Sequence, residues 1–100
     1  MIDEKFRKAL DELAQERELE ILRLENPSFD NSIVGLTEDG RLVYSYDKMV
    51  RELRKDDKIS TTEAMEFIDY NTIRALSYYR DRAPIIIMDT KKEILERYGE

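Results

Sequence analysis

The side chains that could carry chemistry in this 100-residue chain are carboxylates, amines, guanidinium groups and phenols, because the sequence contains neither histidine nor cysteine. Histidine is the commonest general base and metal ligand, and cysteine supplies thiolate nucleophiles and disulfides. A P-loop, a nucleophile elbow, a zinc motif and a dinucleotide-binding fingerprint are also absent from the sequence. We therefore predict that the chain is not an enzyme and uses no cofactor.

Adjacent acids occur at three places that could suggest catalysis or metal binding. The pairs are Asp11-Glu12, Glu38-Asp39 and Asp56-Asp57. Without a neighbouring histidine or glycine-rich loop, such pairs are usually solvated turns or helix faces. The stretch TEDGR superficially resembles a calcium loop but lacks its full ligand spacing. We predict no metal site.

Residues 61–82 contain the residue types of a helix-turn-helix DNA-binding motif. A threonine-rich cap, Glu-Ala and an apolar pair precede the run NTIR, the order found in excisionase-type winged helices. A DNA-binding regulator of this type would contact bases and phosphates through basic and amide side chains of its second helix. The candidate residues are Asn71, Arg74, Arg80 and Arg82.

Two observations favour a single helix over this motif. Only three residues separate Ile68 from Thr72, which leaves no room for the turn between two crossing helices. The apolar stripe also keeps its angular phase through Thr72, whereas a turn would reset it. The residues of this stripe are Thr61, Ala64, Met65, Ile68, Thr72, Ala75, Leu76 and Tyr79. We therefore predict one continuous core helix over 61–79, and sequence-specific DNA binding is the alternative function.

This helix has a second apolar face that needs an explanation. Phe67, Tyr70, Ile73 and Tyr78 lie off the main stripe, and a surface helix normally has a polar far side. Either the N-terminal helix covers that face, or the face meets a partner protein or a second copy of the chain. Aromatic side chains are enriched at interfaces. The candidate partner-binding residues are Phe67, Tyr70, Ile73, Tyr78 and Tyr79.

The first half of the chain predicts a helix followed by a β-hairpin. An apolar stripe favours helix from Asp3 to Glu18. Residues 19–25 form either more helix, to about Leu24, which we favour, or a short strand. Strands are predicted at Ile33–Thr37 and Arg41–Tyr46, with Gly40 in the turn. A glycine within the first strand, Gly35, indicates a bulge or a close neighbour.

The second half predicts three helices and one strand. Asp47 is expected to cap a helix whose apolar side is Met49, Val50 and Leu53. Ser60 and Glu63 form the capping-box pattern that opens the long helix, and Thr90 and Glu93 repeat it for a last helix. Between them, the apolar run PIIIMD predicts a strand that is central in its sheet.

These elements predict one α+β domain over residues 1–100, in the order α-β-β-α-α-β-α. A small three-stranded antiparallel or mixed sheet packs with about four helices. Residues 1–25 form an N-terminal helical extension, residues 30–88 the α+β core, and residues 89–100 a C-terminal helix.

The composition indicates an acidic protein that avoids nucleic acid and membranes. Seventeen basic residues against 23 acidic ones give a net charge of −6, which opposes approach to a phosphate backbone. No apolar run approaches the ~20 residues of a membrane helix, and no signal peptide is visible. We expect a cytoplasmic location and basic partners.

Three stretches resemble a family of small uncharacterised proteins found in Gram-positive anaerobic bacteria and their prophages. They are IVGLTEDGRLVYSYDKMVREL, TEAMEFIDYNTIRAL and APIIIM, within residues 30–88. The family often has proline where this chain has Ser77, so the end of the long helix is expected to differ. The resemblance transfers no activity and no catalytic residue. It implies an accessory role that works by binding. We predict a protein-interaction module that binds a partner protein or a second copy of itself as a homodimer.

Overall fold

The computed structural model describes residues 4–25, 28–88, 95–96 and 99. Within these residues it is an α+β protein with three α-helices and a mixed three-stranded sheet, which confirms the predicted fold class. The predicted C-terminal helix of residues 89–100 falls almost entirely outside the described residues. The helices and strands are α1 Glu4–Arg17, β1 Ile33–Leu36, β2 Leu42–Ser45, α2 Tyr46–Asp57, α3 Thr61–Phe67 and β3 Ile85–Ile87.

The hairpin forms where the sequence predicted it. β1 and β2 pair antiparallel, and Gly40 takes a φ of 86° in the turn. A side chain at this glycine would be strained by the positive φ and would meet Leu19 and Arg82 at close range. The register shifts between Ile33 and Gly35, which confirms the bulge.

The position of β3 in the sheet corrects one prediction. The strand order is β1-β2-β3, so β2 is central and β3 is an edge strand that pairs parallel with β2. All three isoleucines of β3 are only partly buried. The continuous apolar run therefore marks a strand with partial cover on both faces, and not a central strand.

α1 ends earlier than predicted. Its last residue is Arg17, and Glu18 takes the left-handed conformation with a φ of 55°. The following residues run without regular structure and bring Leu24, only 4% exposed, into the core. The Leu24 amide donates a hydrogen bond to the Tyr44 hydroxyl at 3.0 Å. Helix as far as Leu24 was wrong, because the Leu24 amide is bonded to a side chain of the sheet and not to a carbonyl of its own helix.

The segment predicted as a helical extension packs into the same core as the rest. Leu10 of α1 is buried in it, and Phe6 packs against it. The Arg7 guanidinium forms an ion pair with Asp30 at 2.6 Å, and the Asp30 side chain is only 6% exposed. Breaking such a shielded pair leaves an uncompensated charge, so this contact holds α1 against the segment before β1.

α2 begins one residue after β2 and is capped differently from the prediction. The Ser45 side chain accepts a hydrogen bond from the Lys48 amide at 3.3 Å, so Ser45 is the N-cap. Asp47 lies in the first turn and pairs with Arg51 at 2.9 Å. The apolar side predicted for α2, namely Met49, Val50 and Leu53, is buried.

Among the described residues, no helix has both the length and the apolar character needed to cross a membrane.

Candidate partner-binding site

The site lies on a helical rod that changes its winding along its length. α3 continues into a π-helical segment, Ile68–Ile73, and then into a 3₁₀ segment, Arg74–Arg82. The capping box is present, since Ser60 accepts from the Glu63 amide at 3.1 Å and the Glu63 carboxylate accepts from the Ser60 amide at 3.2 Å.

The rod has no corner where a helix-turn-helix would place one. Phe67, Ile68, Ile73 and Arg74 all have right-handed helical φ and ψ. The first non-helical residue is Arg80, with φ 55° and ψ −130°. The backbone therefore runs through Asp69–Asn71 without the turn that separates two crossing helices.

The π-helical segment explains which side of the rod is buried. Ala64, Ile68 and Thr72 are buried, each four residues after the last. A strict four-residue spacing drifts around an α-helix of about 3.6 residues per turn, and the wider π turns offset that drift. Thr61 and Met65 were predicted on the buried stripe, but both are exposed.

The opposite side of the rod is uncovered. Phe67 is 37% exposed, Tyr70 is 68% exposed and Tyr78 is 87% exposed. Cover by the N-terminal helix was one of the two explanations for this second apolar face. The structure contradicts that explanation, because α1 leaves these aromatic side chains open to solvent.

Part of the uncovered side forms a groove of about 890 Å³. It is wide open, and every described lining residue comes from the stretch 63–74 of the same rod. Small-molecule sites enclose most of their ligand, so this shape suits a side chain or segment of a larger partner. The lining residues are Glu63, Glu66, Phe67, Asp69, Tyr70, Asn71 and Arg74.

The groove combines an aromatic floor with a negative charge. It has three carboxylates, Glu63, Glu66 and Asp69, against the single guanidinium of Arg74 among the described lining residues. The spacing of these residues along the chain places them on neighbouring turns of the rod. The acids therefore surround the two rings with negative potential and favour a basic partner.

Asp69 is fixed by a side chain from the core. The Tyr46 hydroxyl donates a hydrogen bond to Asp69 Oδ1 at 3.0 Å. Burial of Tyr46, and then this contact with Asp69, raises the pKa of the phenol to about 12. The hydroxyl consequently keeps its proton at neutral pH and holds the Asp69 carboxylate at the groove.

Arg74 covers one of the two rings. Its guanidinium carbon lies 4.9 Å from the centroid of the Tyr70 ring, within the range of a cation–π contact. Neither of the ion pairs found among the described residues involves Arg74. Asn71, which shares the groove, donates from Nδ2 to the Phe67 carbonyl at 3.2 Å.

The structure divides the five predicted partner-binding residues. Phe67 and Tyr70 line the groove, and Tyr78 is exposed beyond it. Ile73 and Tyr79 are partly buried and pack against the core. A fixed period of 100° per residue already places Tyr79 on the buried stripe with Ile68. Ile73 lies off that stripe by the same period, and it is turned inward after the winding changes at Phe67.

The four predicted nucleic-acid-binding residues do not form one surface for DNA. Asn71 and Arg74 lie in the acidic groove. Arg82 donates from Nη1 to the Asp39 carbonyl at 3.0 Å and from Nη2 to the Glu20 carbonyl, so its guanidinium ties the hairpin turn to the chain after α1. Arg80 is exposed, at the point where the rod breaks.

Sequence reasoning missed the acids of the groove. Glu63 was assigned only to the capping box, and Glu66 and Asp69 were not assigned to any binding site, although their spacing puts them beside Phe67 and Tyr70. That spacing was the available indication. The acids matter for binding only if the aromatic face is exposed to solvent, and the sequence did not decide whether it is.

The rest of the described chain offers less chemistry. A second, smaller cavity of about 260 Å³ lies between Phe6 and the hairpin and has an apolar lining. No group of three or more acidic, histidine or cysteine residues within the described part of the chain is arranged to hold a metal ion.

Comparisons of the sequence with protein-family models and with curated proteins, and of the fold with solved structures, found no match.

Proposed function

We propose that the chain is a non-enzymatic interaction module that binds a basic protein partner through the groove on α3 and the π-helical segment. The observation that carries this proposal is the pair of exposed rings, Phe67 and Tyr70, set among three carboxylates. Exposed aromatic side chains are typical interface anchors, because they bury a large area at little cost in conformational entropy.

The charge of the groove supports a partner protein over DNA. Its acids repel phosphates, and the chain as a whole carries −6. The uninterrupted rod and the engagement of Arg82 with backbone carbonyls also weigh against a helix-turn-helix regulator. Self-association through the groove would bring the same acids face to face, so a different protein is the better partner.

The biological setting is part of the proposal. The resemblance to a prophage-associated family implies an accessory protein that acts by binding in the bacterial cytoplasm. Such a role requires a surface and no catalytic centre, which agrees with the groove as the main chemical feature of the described residues.

Affinity capture with matched variants tests this function. The bait is the full chain, offered to a lysate of a Gram-positive anaerobe at low salt, and each captured protein is purified and its dissociation constant measured. Phe67→Ser with Tyr70→Ser should abolish specific capture, while Tyr78→Ser, an exposed aromatic outside the groove, should retain it. Equal capture by both variants would refute the groove as the binding site. Specific retention of duplex DNA would favour the regulator instead.

A further inference from the structure

The Tyr70 ring already holds a guanidinium in the free protein. The Arg74 guanidinium carbon lies 4.9 Å from the ring centroid, and both residues are exposed. A planar guanidinium stacks well on an aromatic face. The contact therefore shows which chemical group this ring accommodates.

The acids beside the ring match the same chemistry. Glu66 forms no hydrogen bond or ion pair with any described residue that the structure records. Asp69 has one oxygen engaged by Tyr46, and Glu63 is engaged by the Ser60 amide. Guanidinium groups bind carboxylates in a planar, two-point geometry. A free carboxylate next to an aromatic face is thus suited to an arginine side chain.

We infer that the partner presents an arginine to this groove. Until the partner binds, Arg74 stacks on the Tyr70 ring where the partner's arginine will stack. This inference rests on the proposed function and specifies its ligand. The incoming guanidinium displaces Arg74, stacks on Tyr70 and pairs with Glu66. Arg74 is then an internal competitor and not a contact residue.

This role predicts that removing Arg74 strengthens binding of the partner, whereas removing a contact residue would weaken it. Removing its charge frees the ring and makes the groove more negative, so Arg74→Gln should bind an arginine peptide more tightly. The DNA-binding alternative predicts the reverse, because there Arg74 would contact phosphates or bases. One substitution therefore separates the two hypotheses by the direction of its effect.

The experiment is fluorescence anisotropy with two labelled peptides, one of alternating arginine and serine and one of alternating lysine and serine. At low salt, Arg74→Gln should tighten the arginine peptide about two- to fivefold, the size of an exposed cation–π contact. Tyr70→Ala and Glu66→Gln should each weaken it at least about twofold. The matched controls, Tyr78→Ala and Glu12→Gln on exposed α1, should change it less. The lysine peptide should bind more weakly to every variant that keeps Tyr70.

Several results would overturn the inference. They are weaker arginine-peptide binding by Arg74→Gln, equal affinity for the two peptides, or an equal effect of Glu12→Gln and Glu66→Gln. Duplex DNA binding lost in Arg74→Gln would replace the inference with the nucleic-acid alternative. Light scattering measures whether the wild-type chain forms a dimer. A dimer that dissociates in Arg74→Gln would show that the incoming arginine is Arg74 of a second copy of the chain.

The failure of the inference is distinguishable from that of the proposed function. If Phe67→Ala and Tyr70→Ala weaken the peptide but Arg74→Gln does not tighten it, the groove remains a binding face and the competition is refuted. If no groove variant alters peptide binding, both the inference and the proposed function are refuted. Circular dichroism of each variant verifies that the chain is folded.

Discussion

Single residues with a positive φ stand at or near several helix ends in this protein. Among the described residues, four that are not glycine have a positive φ, namely Glu18, Phe29, Lys58 and Arg80. An L-residue pays roughly 1–2 kcal/mol there, and sequence rules expect glycine or asparagine instead. The end of α1 at Glu18 was missed for this reason, because no residue type announces it.

Replacing Lys58 by glycine should stabilise the protein. Lys58 is the C-cap of α2 with a φ of 55°. Its backbone amide donates a hydrogen bond to the Arg54 carbonyl at 2.9 Å, and glycine at this position keeps that hydrogen bond. We expect the free energy of unfolding to rise by about 0.5–1 kcal/mol in urea denaturation. Lys55→Gly, inside the same helix, is the control and should lower it by about 1 kcal/mol. A loss at both positions would contradict the left-handed cap.

Two buried tyrosines couple folding to alkaline pH. Burial is the main cause that raises the pKa of Tyr44 and of Tyr46 to about 12 each. In an unfolded chain a tyrosine ionises near pH 10. Between about pH 10 and pH 12 the unfolded chain therefore releases protons that the folded chain retains, so stability present below pH 10 is lost through this window.

Tyr46→Phe should flatten this alkaline decline. The variant loses the hydrogen bond to Asp69, worth about 1 kcal/mol at neutral pH, and also loses one of the two raised phenols. Its unfolding free energy should then fall less steeply than that of the wild type above about pH 10, measured by urea titrations at a series of pH values. Tyr78→Phe, at an exposed position, should keep the wild-type slope. Identical slopes for wild type and Tyr46→Phe would contradict the account.

Among the helices, local capping patterns predicted the N-cap of α3 correctly and that of α2 incorrectly. Ser60 and Glu63 form the expected capping box. For α2, by contrast, Ser45 caps the helix although Asp47 was the expected residue. Both residue types are good caps, and the choice depends on where β2 stops pairing, which is a tertiary property.

Ser60→Ala should weaken the start of α3. Ser60 accepts from the Glu63 amide at 3.1 Å, and alanine removes that acceptor. We expect a loss of about 1 kcal/mol in unfolding free energy, or several degrees in the midpoint of a thermal melt followed by circular dichroism. Thr62→Ala, an exposed position in the same turn, is the control and should cost less. An unchanged midpoint in Ser60→Ala would contradict the cap.

The winding of the long rod was the element that sequence periodicity described least completely. A constant helical period predicted Ile73 off the buried stripe, whereas Ile73 packs against the core at the end of the π-helical segment. π-Helical turns arise from tertiary packing and occur often at functional sites. Phe67 and Tyr70, which lie before or early in the change, were assigned to the exposed side correctly.

At the scale of the whole molecule, the fold class and hairpin followed from the sequence, but the relations between distant segments did not. β3 joins the edge of the sheet, and Leu24 reaches the core from a segment without regular structure. Both depend on partners far away in the chain, such as β2 and the Tyr44 hydroxyl. Neither local period nor residue type encodes these partners.

The net charge is a property of the whole molecule, and in the proposed function it favours basic partners. The groove concentrates acids on a chain that already carries −6. Electrostatic steering of this kind weakens as salt screens it, with a Debye length of about 8 Å at physiological ionic strength. A basic partner held by the rings as well as by charge should retain part of its affinity at high salt.

The most direct test of the central claim is chemical-shift mapping by nuclear magnetic resonance. The ¹⁵N-labelled chain is titrated with the arginine–serine peptide, and the amide signals are followed residue by residue. Binding in the groove should give saturable shifts concentrated in residues 63–74, with α1, Glu4–Arg17, unchanged. Shifts that are spread evenly over the acidic surface, or that leave residues 63–74 unmoved, would contradict the account.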